Sequence, residues 1–368
     1  MRVRQRLGLL SLVACVAGVA AASAWVGAAS PRVQASSCKE LHLFTWEGEA
    51  DPSFVKPFEK QYGVKVTASY ISTEDQELAK MATGGTKLYD VVIVASDNRQ
   101  AMKDAGVIKP LDTKRLSYFK NIFPFLKPAF NLDGKTWTVA SDWGVNPFIY
   151  NTKTLKKQPT SWNVLWSPAL KNQVGIWGDY SLIYIGASVL GYDKNPKGIF
   201  NLSDAQLQAI KKKMLGLKPN VRKIWSTGGD LIQLFANGEI NAAMGWNYVY
   251  QQLTAKKFPV RQVVFKDMGG QGWSEGPALS VGIKPECEDL AYKWINYLTS
   301  PKVQAKLAAV TGYTPANSTS GRFMSKALIK QTGMDHPTTF AKGAIIRLDP
   351  VDRQKYVKIA EEIQAGLQ

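Results

Sequence analysis

The chain has 368 residues, 45% of them hydrophobic and 20% charged, which marks a folded globular protein long enough for about two domains. A core of that size forms without staples. The formal net charge is +17, but the lysines are scattered or in short clusters such as Lys211-Lys212-Lys213. With no basic tract and no recognition motif, nucleic acid is excluded as a partner.

Arg2, Arg4 and Arg6 precede an apolar run from Leu7 to about Ala29, and Val33-Gln34-Ala35 offers the small residues that a signal peptidase reads. This pattern predicts a secretory signal peptide over 1–35, cleaved near Ala35, and a periplasmic product. Two alternatives stay open. The run is nearly long enough to remain as a membrane anchor, and Leu12-Val13-Ala14-Cys15 has the form of a lipobox that would tether the protein through Cys15. Cleavage would remove four arginines and no acid, leaving 42 basic and 29 acidic residues, a net charge of +13.

Residues 39–46 alternate as a strand, followed by a helix around Phe54, Val55 and Phe58 that ends near Gly63. Val64–Tyr70 is a second strand, 73–82 a helix, and Tyr89–Val94 a third strand apolar enough to be buried on both faces. This β-α-β-α-β order predicts a doubly wound α/β lobe with a parallel sheet. Further strands are expected at Phe148–Tyr150, Val174–Trp177, Ile240–Trp246 and Ala278–Ile283. Helices are expected from Trp177 on to about Leu190, over Asp204–Leu215 with Ser203 or Asn201 as cap, over Asp230–Asn237, over Glu288–Leu298, and from Ser300-Pro301 to Val310. Trp162, Trp166 and Trp294 have the spacing of packing residues.

The sequence contains no H-E-x-x-H and no Walker loop, and its two histidines, His42 and His336, stand in unrelated positions. Gly272-Trp273-Ser274-Glu275-Gly276 has the G-x-S-x-G spacing, but it stands ahead of an expected strand and not between a strand and a helix, so it is not a nucleophile elbow. Tryptophans beside carboxylates also describe a glycosidase cleft, but an enzyme is not the favoured reading. No CxxC occurs either, so a Cys/His zinc site is not expected, and neither is a cofactor.

Several stretches, in order, resemble the solute-binding proteins of ABC transporters, and among them the spermidine/putrescine branch. They are Leu43-Phe44-Thr45-Trp46, Phe58 to Val66, Tyr89-Asp90-Val91-Val92, Trp143-Gly144 leading to Tyr150-Asn151, Ser161-Trp162 with Leu165-Trp166, Gly238-Glu239-Ile240-Asn241 before Trp246-Asn247, and Thr311-Gly312-Tyr313-Thr314-Pro315. The resemblance implies two doubly wound α/β lobes joined by hinge strands, of the type II periplasmic kind. Lobe one would hold 39–140 plus 275–311, and lobe two 141–274 plus 312–368. Crossings would fall near Trp143-Gly144 and Gly269-Gly270-Gln271-Gly272. It further implies a monomer that hands a small-molecule ligand to a membrane permease. Cys38, before the first strand, and Cys287, after a strand of the same lobe, are expected to form a disulfide.

A polyamine is a flexible rod of ammonium groups, and burying it requires carboxylates and aromatic faces. The sequence offers Trp46 with Glu47 and Glu49, Asp142-Trp143, Asp179, Trp246, Trp273 with Glu275, and Tyr313, mostly at strand ends. Within the resemblance, Trp273-Ser274-Glu275 matches a Trp-x-Asp whose acid grips an amine, and Tyr313 matches a binding tyrosine. The family usually has Asp where Glu275 stands, often Tyr where Glu49 stands, an acid where Leu182 stands, and a tyrosine at the place of Asn98. These departures leave another solute open: an amino acid, an opine or a quaternary amine. A carboxylate-bearing solute would need an arginine, for which Arg99, Arg222 and Arg347 are candidates. The sign of charge lining the cleft discriminates between the two.

Overall fold

The computed structural model describes residues 38–195, 198–265, 271–338 and 346–368. The leader, Cys15 and Gly269-Gly270 lie outside these residues.

β1 (Glu40–Thr45) pairs in parallel with β2 (Lys65–Tyr70) and with β3 (Val91–Ala95). Between β1 and β2 runs α1 (Pro52–Tyr62), opened by Asp51, whose carboxylate accepts from the Ser53 amide, and stopped by Gly63 in the left-handed conformation at φ 63°. Between β2 and β3 lies α2 (Glu74–Ala82), capped by the Thr73 hydroxyl. β3 is buried along its whole length, as its unbroken apolar run predicts.

After α3 (Arg99–Asp104), β4 (Ile108–Lys109) and the small β5–β6 hairpin (Asn131–Leu132, Lys135–Thr136), the first sheet turns mixed. β7 (Asp142–Val145) joins it, and the chain then passes at Asn146-Pro147 to β8 (Phe148–Asn151) of a second sheet. That sheet adds β9 (Val174–Trp177), β10 (Val221–Trp225), β11 (Ala242–Met244) and β12 (Val260–Val263), in the order β10-β9-β11-β8-β12. Its helices are α4 (Leu182–Val189), α5 (Asp204–Leu215), α6 (Gly228–Ala236) and α7 (Asn247–Ala255). Ser203, not Asn201, caps α5 through a capping box with Gln206.

β13 (Gly272–Ser280) returns to the first sheet, antiparallel to β3 and β7, and β14 (Thr314–Pro315) pairs with β7. The order there is β14-β7-β13-β3-β1-β2, with β4 on β13. β13 starts earlier and stops earlier than the expected 278–283, because Ser280 is followed by a turn into α8 (Pro285–Leu298). α9 (Pro301–Thr311) and α10 (Lys326–Thr332) follow on the same lobe, and the C-terminal helix Arg353–Leu367 packs on α5 and α4.

The lobe boundaries shift accordingly. Residues 142–145, 272–274 and 314–315 were expected in lobe two but are strand residues of the first sheet; from 312 onward, only the part beyond the third crossing lies on the second. That crossing passes Ile346, bridged to Gly272, and Arg347, whose amide donates to the Gly272 carbonyl at 2.8 Å.

Trp162 and Trp294 are buried core residues, Trp162 edge-on to Phe265 with centroids 4.9 Å apart and Trp294 edge-on to Phe58 at 5.0 Å, while Trp166 packs at the core's margin. A disulfide joins Cys38 to Cys287, Cα atoms 4.8 Å apart, and ties the entry to β1 to the first turn of α8. Among the described residues no helix is long and apolar enough to cross a membrane.

Candidate functional site

The carboxyl ends of β1, β9, β10 and β11 converge between the two sheets, each carrying a tryptophan. Trp46 follows β1 and meets Trp246, which follows β11, at 5.6 Å and 72°. Trp246 also meets Trp177 at 5.3 Å and Trp225 at 5.3 Å, both edge-on, and Trp177 stacks on Trp225 at 12° between planes. Edge-to-face packing of this kind fixes ring directions beyond what burial alone would do. From the first sheet, Trp273 on β13 stands edge-on to Tyr313 at 4.6 Å. Trp273 lies flat over β7 because residue 144 is glycine: a Cβ there would sit 2.9 Å from the indole.

Five of these rings, all but Trp225, wall a narrow cavity of about 340 Å³ that is open in part to solvent. Its lining residues are Trp46, Trp177, Trp246, Trp273, Tyr313 and Ala95, with Glu275, Glu74, Asn146 and Arg347 as the polar ones.

Glu275 is the member of a buried acid cluster that lines the cavity. Carboxylate oxygens of Glu49, Asp142 and Glu275 lie within 4.8 Å of one another. Glu49 accepts from the Thr45 hydroxyl at 2.7 Å and from the Trp46 amide at 3.4 Å. Burial, then the neighbouring charges of the cluster, pushes Asp142 and Glu275 well above the usual carboxylate range; burial raises Glu49 also. Like charges this close in a dry site cannot all ionise, so the three share protons. The donor set has the hard-oxygen chemistry of a divalent cation site.

A second buried network crosses the cleft. Arg347 pairs with Glu74 (Nη2 to Oε1, 3.3 Å) and Asp97 (Nε to Oδ2, 3.3 Å). Arg353, on the C-terminal helix, reaches Asp75 of α2 at 2.9 Å and donates to the Asp97 carbonyl at 2.8 Å. Asp179, beyond β9, accepts from the Glu74 amide at the start of α2 at 3.2 Å and from the Ser181 amide at 2.8 Å. Burial and then Asp75 push Asp179 up to about 6. In the opposite direction, Glu47 accepts from the Gly229 amide at the start of α6 at 2.8 Å. Residue 228 must be glycine for this, since a Cβ there would lie 2.6 Å from Glu47 Oε2. Each lobe thus places a carboxylate on a helix N-terminus of the other, where amides and the helix dipole both favour it.

The structure brings Trp46, Trp246, Trp273, Glu275 and Tyr313 to one cavity, as the sequence reading grouped them. Five other expected contacts lie elsewhere. Trp143 is fully buried in the first lobe, its indole N–H donating to the Pro315 carbonyl at 3.3 Å. Glu49 and Asp142 stand beneath the cavity rather than in its wall, and Glu47 and Asp179 join the lobes. Trp177, Glu74 and Asn146 line the cavity without having been singled out as ligand contacts, and Arg347 does so having been weighed only for a rival solute. Trp177 carried the signal that picked out Trp246, a tryptophan at a strand end.

The family described as "Bacterial extracellular solute-binding protein" matches residues 53–334. The spermidine/putrescine-binding periplasmic protein of Salmonella typhimurium is 28% identical over 303 residues, covering 79% of this chain and 81% of its own. Spermidine/putrescine-binding periplasmic protein 1 of Haemophilus influenzae is 25% identical, with 91% of each chain covered. Among solved structures, a putative spermidine/putrescine ABC transporter protein from Listeria monocytogenes superposes with a TM-score of 0.75 at 23% identity, over 89% of this chain and 98% of its own.

Proposed function

Because the chain belongs to the bacterial extracellular solute-binding proteins, we propose that it captures an ammonium-bearing solute of the putrescine and spermidine size class between its lobes and hands it to the permease of an ABC importer. It does so as an exported monomer, with no chemical step of its own. One observation carries the reading: five aromatic rings and the Glu275 carboxyl surround a single narrow cavity at the strand ends. An ammonium there gains roughly 0.5–2 kcal/mol from each well-placed ring and a charged hydrogen bond from Glu275. The incoming positive charge also draws a proton off the acid cluster, whose carboxyls burial raises, so affinity rises with pH until the cluster ionises without the solute.

Capture works by closure. Trp46, Trp273 and Glu275 act from the first lobe, Trp177 and Trp246 from the second, so only the closed state contacts the solute on both sides. Glu47, Asp179 and Arg353 hold that state from outside the cavity.

Titration calorimetry on unfolded, stripped and refolded protein tests this. Glu275→Gln keeps the shape and removes the charge, and should weaken amine binding by roughly 1.5–3 kcal/mol. Equal affinity of parent and variant for every amine bound would remove Glu275 from the site.

A further inference from the structure

The cavity carries both signs of charge. Besides Glu275 and Glu74, its wall includes Arg347, which is 3% exposed. The backbone fixes this arginine: its amide donates to the Gly272 carbonyl at 2.8 Å and its carbonyl accepts from the Ser96 hydroxyl at 2.6 Å. A guanidinium has five N–H donors in a rigid fork. Glu74 takes Nη2 and Asp97 faces Nε, while buried Nη1 has no protein acceptor. Asn146, in the same wall, presents a buried amide nitrogen that is also without one. Burial works against the charge of Arg347, but Asp97 and Glu74 outweigh it and hold the guanidinium charged. Burial and then Asp97 raise Glu74 well above the carboxylate range, against the pull of Arg347.

A linear diamine finds a carboxyl in this wall but also meets a fixed cation. Two unpaired donors and a cation in a wall that also carries the Glu275 carboxyl call for an acceptor on the ligand. We propose that the solute is a zwitterion of the ω-amino acid class, its ammonium against Glu275 and the aromatic rings, its carboxylate on Arg347 Nη1 and Asn146. This rests on the reading of the cavity as the solute site and changes only the far end of the solute. The charged hydrogen bond from Arg347 Nη1, with the Asn146 amide beside it in the wall, supplies orientation as well as affinity.

The test is calorimetry of the stripped full-length mature protein against two series of matched length, α,ω-diamines and ω-amino acids with two to five methylenes. One amino acid should bind at least tenfold tighter than the diamine of its length. Arg347→Gln should weaken that amino acid by more than tenfold and strengthen the diamines, whereas Glu275→Gln should weaken both series. A structural counter-ion for Glu74 and Asp97 would instead make Arg347→Gln weaken both series alike, and that result overturns the proposal. So does a wild-type protein that prefers the diamine at every length, a comparison that needs no variant to fold. If diamines alone bind and Glu275→Gln releases them, the cavity reading stands and only the zwitterion falls. If neither series binds, both fall.

Discussion

Glu77 offers a measurable handle on the buried acids that hold α2 in the cleft. It faces inward from the first turn of α2, fully buried, with Oε2 accepting from Asn98 Nδ2 at 2.8 Å and Oε1 unpartnered. Burial is the main cause that pushes it from 4.5 to about 8. A carboxyl raised on folding makes the native state bind more protons than the unfolded one, so stability falls as pH rises from the unfolded value toward the folded one. With 4.5 unfolded and about 8 folded, the penalty is below about 1 kcal/mol at pH 5 and about 4 kcal/mol at pH 8. Glu77→Gln removes the titration. Its amide leaves a buried donor where Oε1 stood, a cost of roughly 1–3 kcal/mol that is the same at both pH values. The readout is therefore the slope. Urea unfolding of the parent and the variant at pH 5 and pH 8 should show the parent losing about 3 kcal/mol more than Glu77→Gln across that interval. Parallel losses would mean that Glu77 is ionised in the native protein and that water reaches α2.

The disulfide and the two interlobe carboxylates give further tests. Replacing Cys38 and Cys287 together by serine opens a loop of 249 residues and should lower stability by roughly 2–5 kcal/mol while leaving solute affinity unchanged, since the bond lies far from the cavity wall; denaturant midpoints and calorimetry read the two separately, and a change in affinity alone would contradict it. Glu47→Gln and Asp179→Asn each remove a charge from a helix N-terminus of the facing lobe and should weaken binding by roughly 0.3–2 kcal/mol through the closed state. Small-angle scattering should show both variants more open than the parent without solute, and unchanged scattering and affinity would relieve these residues of a closing role. Asp179, pushed up to about 6, loses its charge below that pH, so the parent should open further on acidification through pH 6 than Asp179→Asn does.

Much of the architecture was legible because periodicity and punctuation agree locally. The alternation of 39–46, the continuous apolar run of β3 and the glycine after α1 each have one physical solution. The antiparallel return of β13 and the edge strand β14 were not legible, because pairing direction depends on partners far away in sequence. The site divides along the same line. Strand ends are local, and so Trp46, Trp246 and Trp273 could be picked out. Asp142 and Trp143 are neighbours on β7, and the pleat sends them to opposite faces: the acid to the cluster under the cavity, the indole into the core against Phe125. A reading that took both as contacts could not hold for both. Glu47 and Glu49 separate for a different reason. They flank Gly48, at φ 92°, and that turn aims one outward to α6 and folds the other back onto Thr45.

Arg347 shows where sequence reasoning ran out and what its placement implies. It sits at no predicted strand end and enters the cavity on the third crossing, pinned to Ser96 and Gly272 from far away in the chain. Two other residues depart from the polyamine pattern: Asn98, bonded to Glu77 and to the Glu74 carbonyl, and Glu275, one methylene longer than the usual aspartate. If the solute is a zwitterion, the longer acid and the buried guanidinium of this cavity each take one of its charged ends. Aromatic walls tolerate either kind of solute, since methylenes stack against rings whatever the chain carries at its ends. What discriminates between the two kinds of solute is therefore the polar lining, where Glu275 and Arg347 carry opposite signs.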